Sequence, residues 1–406
     1  MDNDRAGYAA RVPTPTAPPD AGEARRRIPA LDGLRGLAIL LVFVKNLNHQ
    51  RFSGEWTHAL LARLHQVGWV GVDLFFVLSG FLITDILVST RESPRYFRNF
   101  YARRFLRIFP LYYGVLIAMF VVLPPLKVLA ASATRELLHA QGWYWTYTVN
   151  VLVALHGDEA APLSSDHFWS LAVEEQFYLL WPLIVWRLSP RRLAQLCVVV
   201  FLATLVLRFV AFALGATPNA VYVSTPLRMD ALASGALVAC LVRTSPAWLV
   251  RWAPRVATVG VTALVVIAVW PSDALLTNAH VVRTVGFSVL AITFSAVVAT
   301  AITASPASSA IRGMSVAPLR FYGKYSYAMY VFHPFVYLAL ITILRRRYGA
   351  GQVDIGSWPT APTLLVASIV ITTVLGVASW HLFERHFMRL RDRFPYEGRR
   401  ELTPAL

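Results

Sequence analysis

The chain has 406 residues, of which 56% are hydrophobic and only 15% are charged, and its mean hydropathy is +0.53. A soluble domain carries about a quarter of charged residues, so the composition excludes an ordinary soluble protein and indicates helices in lipid. The net charge of +16 would suit a nucleic-acid-binding protein or a membrane protein whose cytoplasmic loops hold the basic residues. Because the arginines flank apolar segments, the sequence favours the lipid bilayer as its environment and no nucleic-acid partner.

The N-terminal segment, residues 1–27, is polar, rich in Pro and Ala, and lacks the apolar region of a signal peptide. It ends in three arginines directly before the first apolar segment, which places it in the cytoplasm by the positive-inside rule. The sequence therefore predicts a disordered cytoplasmic tail over 1–27, one membrane domain over 28–393 and a cytoplasmic C-terminal tail over 394–406.

Ten apolar segments follow, close to the roughly 20 residues that a transmembrane helix needs. They lie at 30–49, 68–88, 108–126, 168–187, 193–214, 228–243, 254–271, 281–304, 325–344 and 362–383. With ten spans most arginine-rich loops fall on the cytoplasmic side. A crossing by the aromatic segment 141–156 would invert every later loop, so this segment is predicted to lie at the interface or to re-enter. The predicted fold class is all-α: a polytopic helix bundle of about ten transmembrane helices in the inner membrane, with both termini in the cytoplasm.

Ionisable residues inside apolar spans are costly in lipid and are therefore candidate functional residues. Arg35 opens the first span, three residues after Asp32, with which it can form a local ion pair. Asn46 and His49 follow on the same helical face. A histidine in a bundle interior can act as a general base, because its pKa lies near the working pH. The alternative is that His49 only ends the helix at the outer interface.

Arg103, Arg104 and Arg107 lie at the predicted cytoplasmic end of another span, and Arg104 and Arg107 share one helical face among aromatic residues. Arginine binds phosphate oxygens bidentately and stacks on planar groups, so this pair suits a nucleotide phosphate and ring.

The adjacent carboxylates Glu174 and Glu175 enter a further apolar segment. Either could orient a histidine or anchor an arginine, whereas the alternative places one at the interface and the other in an ion pair.

His333 lies deep in an apolar helix, where a lone histidine is more often structural than catalytic. No cysteine pattern or spacing predicts a metal site, and no bound cofactor is expected.

Seven segments, in order along the chain, together resemble the acyltransferase-3 family of membrane O-acyltransferases. They are LDGLRGLAILLV (31–42), GVDLFFVLSGFLIT (71–84), YARRFLRIFPLYY (101–113), FWSLAVEEQFYLLWP (168–182), RMDALASGAL (228–237), YSYAMYVFHP (325–334) and FERHFMRLR (383–391). The resemblance implies acyl-CoA, such as acetyl-CoA, as the donor substrate on the cytoplasmic side. It implies a hydroxyl of a cell-surface glycan or of a glycosylated small molecule as the acceptor. By position it assigns the family's arginines to Arg35, Arg104 and Arg107, and its acidic pair to Glu174 and Glu175.

The chain departs from the family at one position. The family's first-span histidine stands eleven residues after the arginine, and this chain has Asn46 there, whose amide cannot take a proton. Three interpretations stay open: His49 replaces it one turn later, His333 supplies the base, or no classical base remains. Two rival functions stay open as well. One is a transporter of a sugar or lipid-linked intermediate, which should show repeats that the sequence lacks, and the other is a catalytically degenerate family member.

Overall fold

The fold comes from a computed structural model that describes residues 28–45, 67–127, 129–269, 280–349 and 360–396. Within these ranges the chain is helical and has no strand, which confirms the predicted all-α class. The α-helices are α1 Pro29–Lys45, α2 Val70–Ser89, α3 Tyr96–Ile117, α4 Ala131–Trp145, α5 Val149–His156, α6 Phe168–Arg187, α7 Pro190–Ala213, α8 Pro218–Val223, α9 Met229–Thr244, α10 Pro246–Val269, α11 Phe287–Thr303, α12 Ser309–Met314, α13 Ala317–Tyr348, α14 Thr360–Ser379 and α15 Arg385–Leu390. Residues 1–27, Asn46, His49 and 397–406 lie outside the described residues.

The helical segments confirm a multi-pass membrane protein. Seven are long and apolar enough to cross a bilayer, namely 70–89, 96–126, 190–213, 246–267, 282–303, 317–348 and 360–393. The other three predicted spans contain α1 and α9, which have only 17 and 16 residues, and α6, which carries Glu174 and Glu175 in its middle. The count of about ten therefore stays a prediction.

Helix α3 begins at Tyr96, well before the predicted span 108–126, so the arginines at its predicted mouth lie within the helix. The C-terminal segment packs against the part of α3 that precedes residue 108. Arg103 donates hydrogen bonds to the carbonyl oxygens of Arg391 and Phe394, at 3.2 and 3.1 Å. Its guanidinium carbon lies 4.4 Å from the centre of the Tyr396 ring. Arg103 therefore stabilises the packing of the C-terminal segment against α3.

The aromatic segment 141–156 does not form one continuous helix. It is divided between α4 and α5, and Tyr147 between them has a φ of 53°, in the left-handed region that interrupts a helix. Its ring stacks on Tyr112 of α3, with centroids 4.2 Å apart. Neither short helix is long enough to cross, which agrees with the prediction that this segment does not span.

Glycines let the central helices approach closely. A Cβ atom at Gly36 of α1 would overlap the Leu319 carbonyl of α13, and one at Gly323 would overlap the Asp32 carbonyl. Such close contacts between backbones are typical of helices packed in membranes, where small residues replace hydrophobic burial as the source of tight association. This packing fixes the position of α1, and with it Arg35, inside the bundle.

Candidate functional site

Charged residues from three helices converge at one place in the bundle. Arg35 of α1 lies within electrostatic range of Arg104 in α3 and of Glu174 in α6, and Arg107 lies near both of these arginines. The structure thus brings together Arg35, Arg104, Arg107 and Glu174, which the sequence predicted as separate motifs. We call these four residues the arginine cluster.

Glu174 is held in place by hydrogen bonds. The hydroxyl groups of Ser79 and Tyr178 lie within hydrogen-bonding distance of its carboxylate and of each other, so their two protons are shared among these three contacts. The guanidinium carbon of Arg104 lies 6.0 Å from the centre of the Tyr178 ring, a cation–π distance. The carboxylate therefore has a defined orientation beside the arginines.

Glu175 lies on another side of α6, because consecutive helical residues point about 100° apart. Its charge lies near the tyrosine rings of Tyr113 and Tyr327, and also near Arg104 and Glu174. The structure places both carboxylates in the half-buried part of the bundle. Glu174 is the member of the arginine cluster, and its hydrogen bonds come from Ser79 and Tyr178.

The arginine cluster concentrates positive charge. Arg107 lies near Arg391 as well as the other two arginines, and Glu384 is a nearby carboxylate. Arg35 forms a pair with Asp32 at 3.4 Å. Among the described residues, the buried Nε atom of Arg104 has no hydrogen-bond partner. The positive charges of these arginines, together with the unpaired N–H donor of Arg104, form a site that favours an anion with several oxygen atoms.

A second group of ionisable residues lies where α1 ends. His167 directly precedes α6 and His333 lies in α13, and their ring centroids are 5.3 Å apart. The ring of Phe43 in α1 lies 6.0 Å from that of His333. From the sequence His333 was only a lone histidine in an apolar helix, and no role was predicted for His167. The two histidines are far apart in the sequence and share no motif, so their proximity is visible only in the folded chain.

Charged groups surround this histidine pair. Lys45, the last residue of α1, lies within electrostatic range of Asp158 and Asp166. Burial, and then the proximity of His333, lowers the pKa of His167 well below its usual value. His167 directly precedes α6, and the lowered pKa favours the neutral form of its ring.

Buried ion pairs hold the helices around these groups. Arg228 pairs with Asp73 at 2.7 Å and Arg208 with Asp230 at 2.6 Å, all four being almost fully buried. Ser288 donates a further hydrogen bond to Asp230 at 2.9 Å. These pairs connect α2, α7, α9 and α11, and we assign them a structural role. The sequence analysis did not single out Arg208.

A metal site does not appear in the described ranges: they contain no group of three or more His, Cys, Asp or Glu side chains that could hold an ion.

Comparison with known proteins identifies the family. A family model described as an acyltransferase domain, Acyl_transf_3, matches residues 28–377. Similar proteins include the O-acetyltransferase OatA of Staphylococcus aureus, 28% identical over 385 residues that cover 88% of this chain and 57% of that protein. The peptidoglycan O-acetyltransferase OatA of Listeria monocytogenes is 29% identical over 333 residues, covering 76% of this chain and 49% of its own. The putative peptidoglycan O-acetyltransferase YrhL of Bacillus subtilis is 28% identical over 378 residues, covering 89% and 55%.

The chain thus spans about half the length of the curated relatives that it matches. No solved structure matches it. The family model covers most of the chain, including every residue of the arginine cluster. The chain therefore belongs to the acyltransferase-3 family of membrane O-acyltransferases.

Proposed function

We propose that the protein transfers an acetyl group from acetyl-CoA to a hydroxyl of a cell-wall glycan such as peptidoglycan. The single observation that carries this proposal is the arginine cluster, in which Arg35, Arg104 and Arg107 from two helices surround the oriented carboxylate of Glu174. The names of the relatives, O-acetyltransferase and peptidoglycan O-acetyltransferase, support the reaction and the acceptor class.

The arginines would bind the donor. Coenzyme A carries a diphosphate and a ribose phosphate, and arginine guanidinium groups bind such oxygens bidentately. Arg104 and Arg107 would take the phosphates, with Arg35 assisting. Since cytoplasmic acetyl-CoA must reach them, we place this end of the bundle and both termini on the cytoplasmic side, as the basic loops predict.

The chemistry requires one bond to form and one to break. The acceptor hydroxyl oxygen attacks the thioester carbonyl carbon, the carbon–sulfur bond breaks, and the hydroxyl proton reaches the sulfur to give free coenzyme A. A general base that takes the proton contributes about 10² to 10⁴ in rate. Glu174 or Glu175 would orient the reacting groups. His49 stays the base predicted from the sequence and lies outside the described residues, as does Asn46.

The experiment is a transfer assay with the full chain in nanodiscs. Labelled acetyl-CoA and a soluble peptidoglycan fragment are supplied, and both acetylated glycan and free coenzyme A are measured. We expect equal amounts of the two products from the wild type. We expect a loss of at least about tenfold in kcat/KM when Arg104 and Arg107 are both replaced by alanine. Arg95, an exposed arginine directly before α3, is the matched control for positive charge.

The rival functions give different results in the same assay. A transporter would consume no acetyl-CoA while it moved a glycan precursor. A degenerate family member, which Asn46 favours, would bind the donor and release no coenzyme A. Either result in the wild type would contradict the proposed function.

A further inference from the structure

The buried pair of histidines offers chemistry that the arginine cluster lacks. His167 and His333 are only 8% and 4% exposed, and they come from segments far apart in the chain. Histidine is the side chain that most often takes and returns protons near neutral pH. The sequence has Asn46 at the position where the family resemblance places this group.

Each ring is oriented through its Nδ1 atom. Nδ1 of His167 lies 3.3 Å from the Ser164 carbonyl oxygen, and Nδ1 of His333 lies 2.7 Å from the Tyr330 carbonyl oxygen. A carbonyl only accepts, so we assign the proton to Nδ1 of both rings, and the lone pair is then on Nε2.

The Nε2 atom of His167 is the free one. It is buried and has no hydrogen-bond partner in the described part of the chain. The Val331 carbonyl lies close to the ring, but its position relative to Nε2 does not meet the distance and angle of a hydrogen bond. A buried polar atom without a partner is rare in native structures and calls for an explanation. One explanation is that the lone pair of Nε2 accepts a hydrogen bond from a substrate hydroxyl.

The location of the pair connects it to the donor site. His167 is seven residues before Glu174, a separation of about 10 Å along α6. The charge of Lys45, directly before Asn46 in the chain, acts on both histidines. The pair therefore lies at the end of α1 that leads to Asn46, while Arg35 at the other end of α1 belongs to the donor site.

We propose that His167, with His333 beside it, is the catalytic base that deprotonates the acceptor hydroxyl, an inference that rests on the proposed function. Nε2 of His167 takes the proton as the hydroxyl oxygen attacks the thioester carbonyl carbon. The carbon–sulfur bond then breaks, and the proton passes from the ring to the sulfur. The products are the acetyl ester and free coenzyme A.

Two features of the surroundings bear on this step. The carboxylate of Asp166 accepts a hydrogen bond from the backbone N–H of His167, which fixes the backbone beside the ring. Both rings are more than nine-tenths buried, so Nε2 of His167 is largely shielded from bulk water.

The experiment compares four single glutamine variants in the nanodisc transfer assay, with acetyl-CoA binding measured on the same samples. Replacing His167 with glutamine is expected to lower glycan acetylation at least about 100-fold, while the Kd for acetyl-CoA stays within about threefold. His156→Gln is expected to stay within about threefold of the wild type in both measurements, and His49→Gln tests the rival base predicted from the sequence. His156 is the matched control, because it is an exposed histidine at the end of α5.

Acetylation by His167→Gln at the wild-type rate would overturn the inference, as would a large loss in His49→Gln alone. If His167→Gln does not give a monodisperse protein, His333→Gln replaces it, with an expected loss of at least about tenfold at unchanged donor Kd. A wild-type rate in that variant would overturn the inference in its turn. An inactive wild type contradicts the proposed function, whereas an active wild type with active histidine variants contradicts only this inference.

Discussion

Arg104 and Glu174 are joined through a single tyrosine: the Arg104 guanidinium carbon lies 6.0 Å from the centre of the Tyr178 ring, and the Tyr178 hydroxyl group hydrogen-bonds to Glu174. This arrangement lets the carboxylate keep its orientation without capturing the arginine in a short ion pair. The guanidinium group can then bind an external anion.

Neutralising Glu174 should separate donor binding from chemistry. In Glu174→Gln the side chain keeps its shape and loses the negative charge that competes with phosphate for Arg35 and Arg104. We expect the KM for acetyl-CoA to fall or stay constant and kcat to fall by about tenfold or more. Steady-state kinetics checks this, with Glu159→Gln on a surface turn as the control. A raised KM at unchanged kcat would show that Glu174 only supports donor binding.

Lysine at position 107 should be a poor replacement for arginine. Arg107→Lys keeps the positive charge and loses the two parallel donors that bind a phosphate group bidentately. We expect kcat/KM for acetyl-CoA to fall by about tenfold, to a value between those of the wild type and of Arg107→Ala. Equal kinetics of the lysine variant and the wild type would indicate that position 107 contributes charge alone.

A histidine at position 46 should compensate for loss of His167. Lys45 acts electrostatically on both buried histidines, and residue 46 follows it directly. We therefore expect Asn46→His to restore at least about tenfold of the acetylation that His167→Gln loses. Glycan acetylation by the double variant and by each single variant gives the comparison. If the double variant shows no recovery, residues 46 and 167 do not take the same proton from the acceptor hydroxyl.

The buried ion pairs should dominate stability. Asp230→Ala leaves Arg208 buried without its carboxylate, and removing one partner of such a pair costs about 3–5 kcal/mol. Asp32→Ala breaks a longer pair with Arg35 whose side chains are 24% and 27% exposed, and its cost should be about 0–1 kcal/mol. Thermal unfolding in detergent should therefore show a much larger fall in Tm for Asp230→Ala. Similar Tm values for both variants would contradict the structural role of this pair.

Glycine packing gives a second stability test. Gly36→Ala would place a Cβ atom against the Leu319 carbonyl, so α1 and α13 must separate and Tm should fall. Gly142 in α4 has open space around its Cα atom, and alanine there should stabilise the helix by about 0.5–1 kcal/mol. Equal changes in Tm would mean that the backbones of α1 and α13 are not in close contact.

The sequence was informative where the physical signal is local. Apolar length predicted the helices, and the basic loops identified 141–156 as a segment that does not cross. The charged motifs at Arg35, at Arg104 and Arg107, and at Glu174 were found because ionisable groups are rare in apolar segments. That they converge depends on the packing of α1, α3 and α6, which no spacing along the chain reveals.

The histidine pair shows the same limit more clearly. No role was predicted for His167, and His333 looked like a lone core histidine, because neither has a motif partner nearby in sequence. The early start of α3 was also missed, since Arg103 and its neighbours make the segment polar. Contacts of Arg103 with the C-terminal segment stabilise a helix there that hydropathy alone would not predict.

The central claim is that Arg104 and Arg107 bind the donor, and direct calorimetric titration with coenzyme A tests it. The wild type and Arg95→Ala should bind with the same Kd, and the Arg104→Ala/Arg107→Ala variant should bind at least about tenfold more weakly, a difference of about 1.4 kcal/mol. Unchanged affinity in that variant would contradict the account.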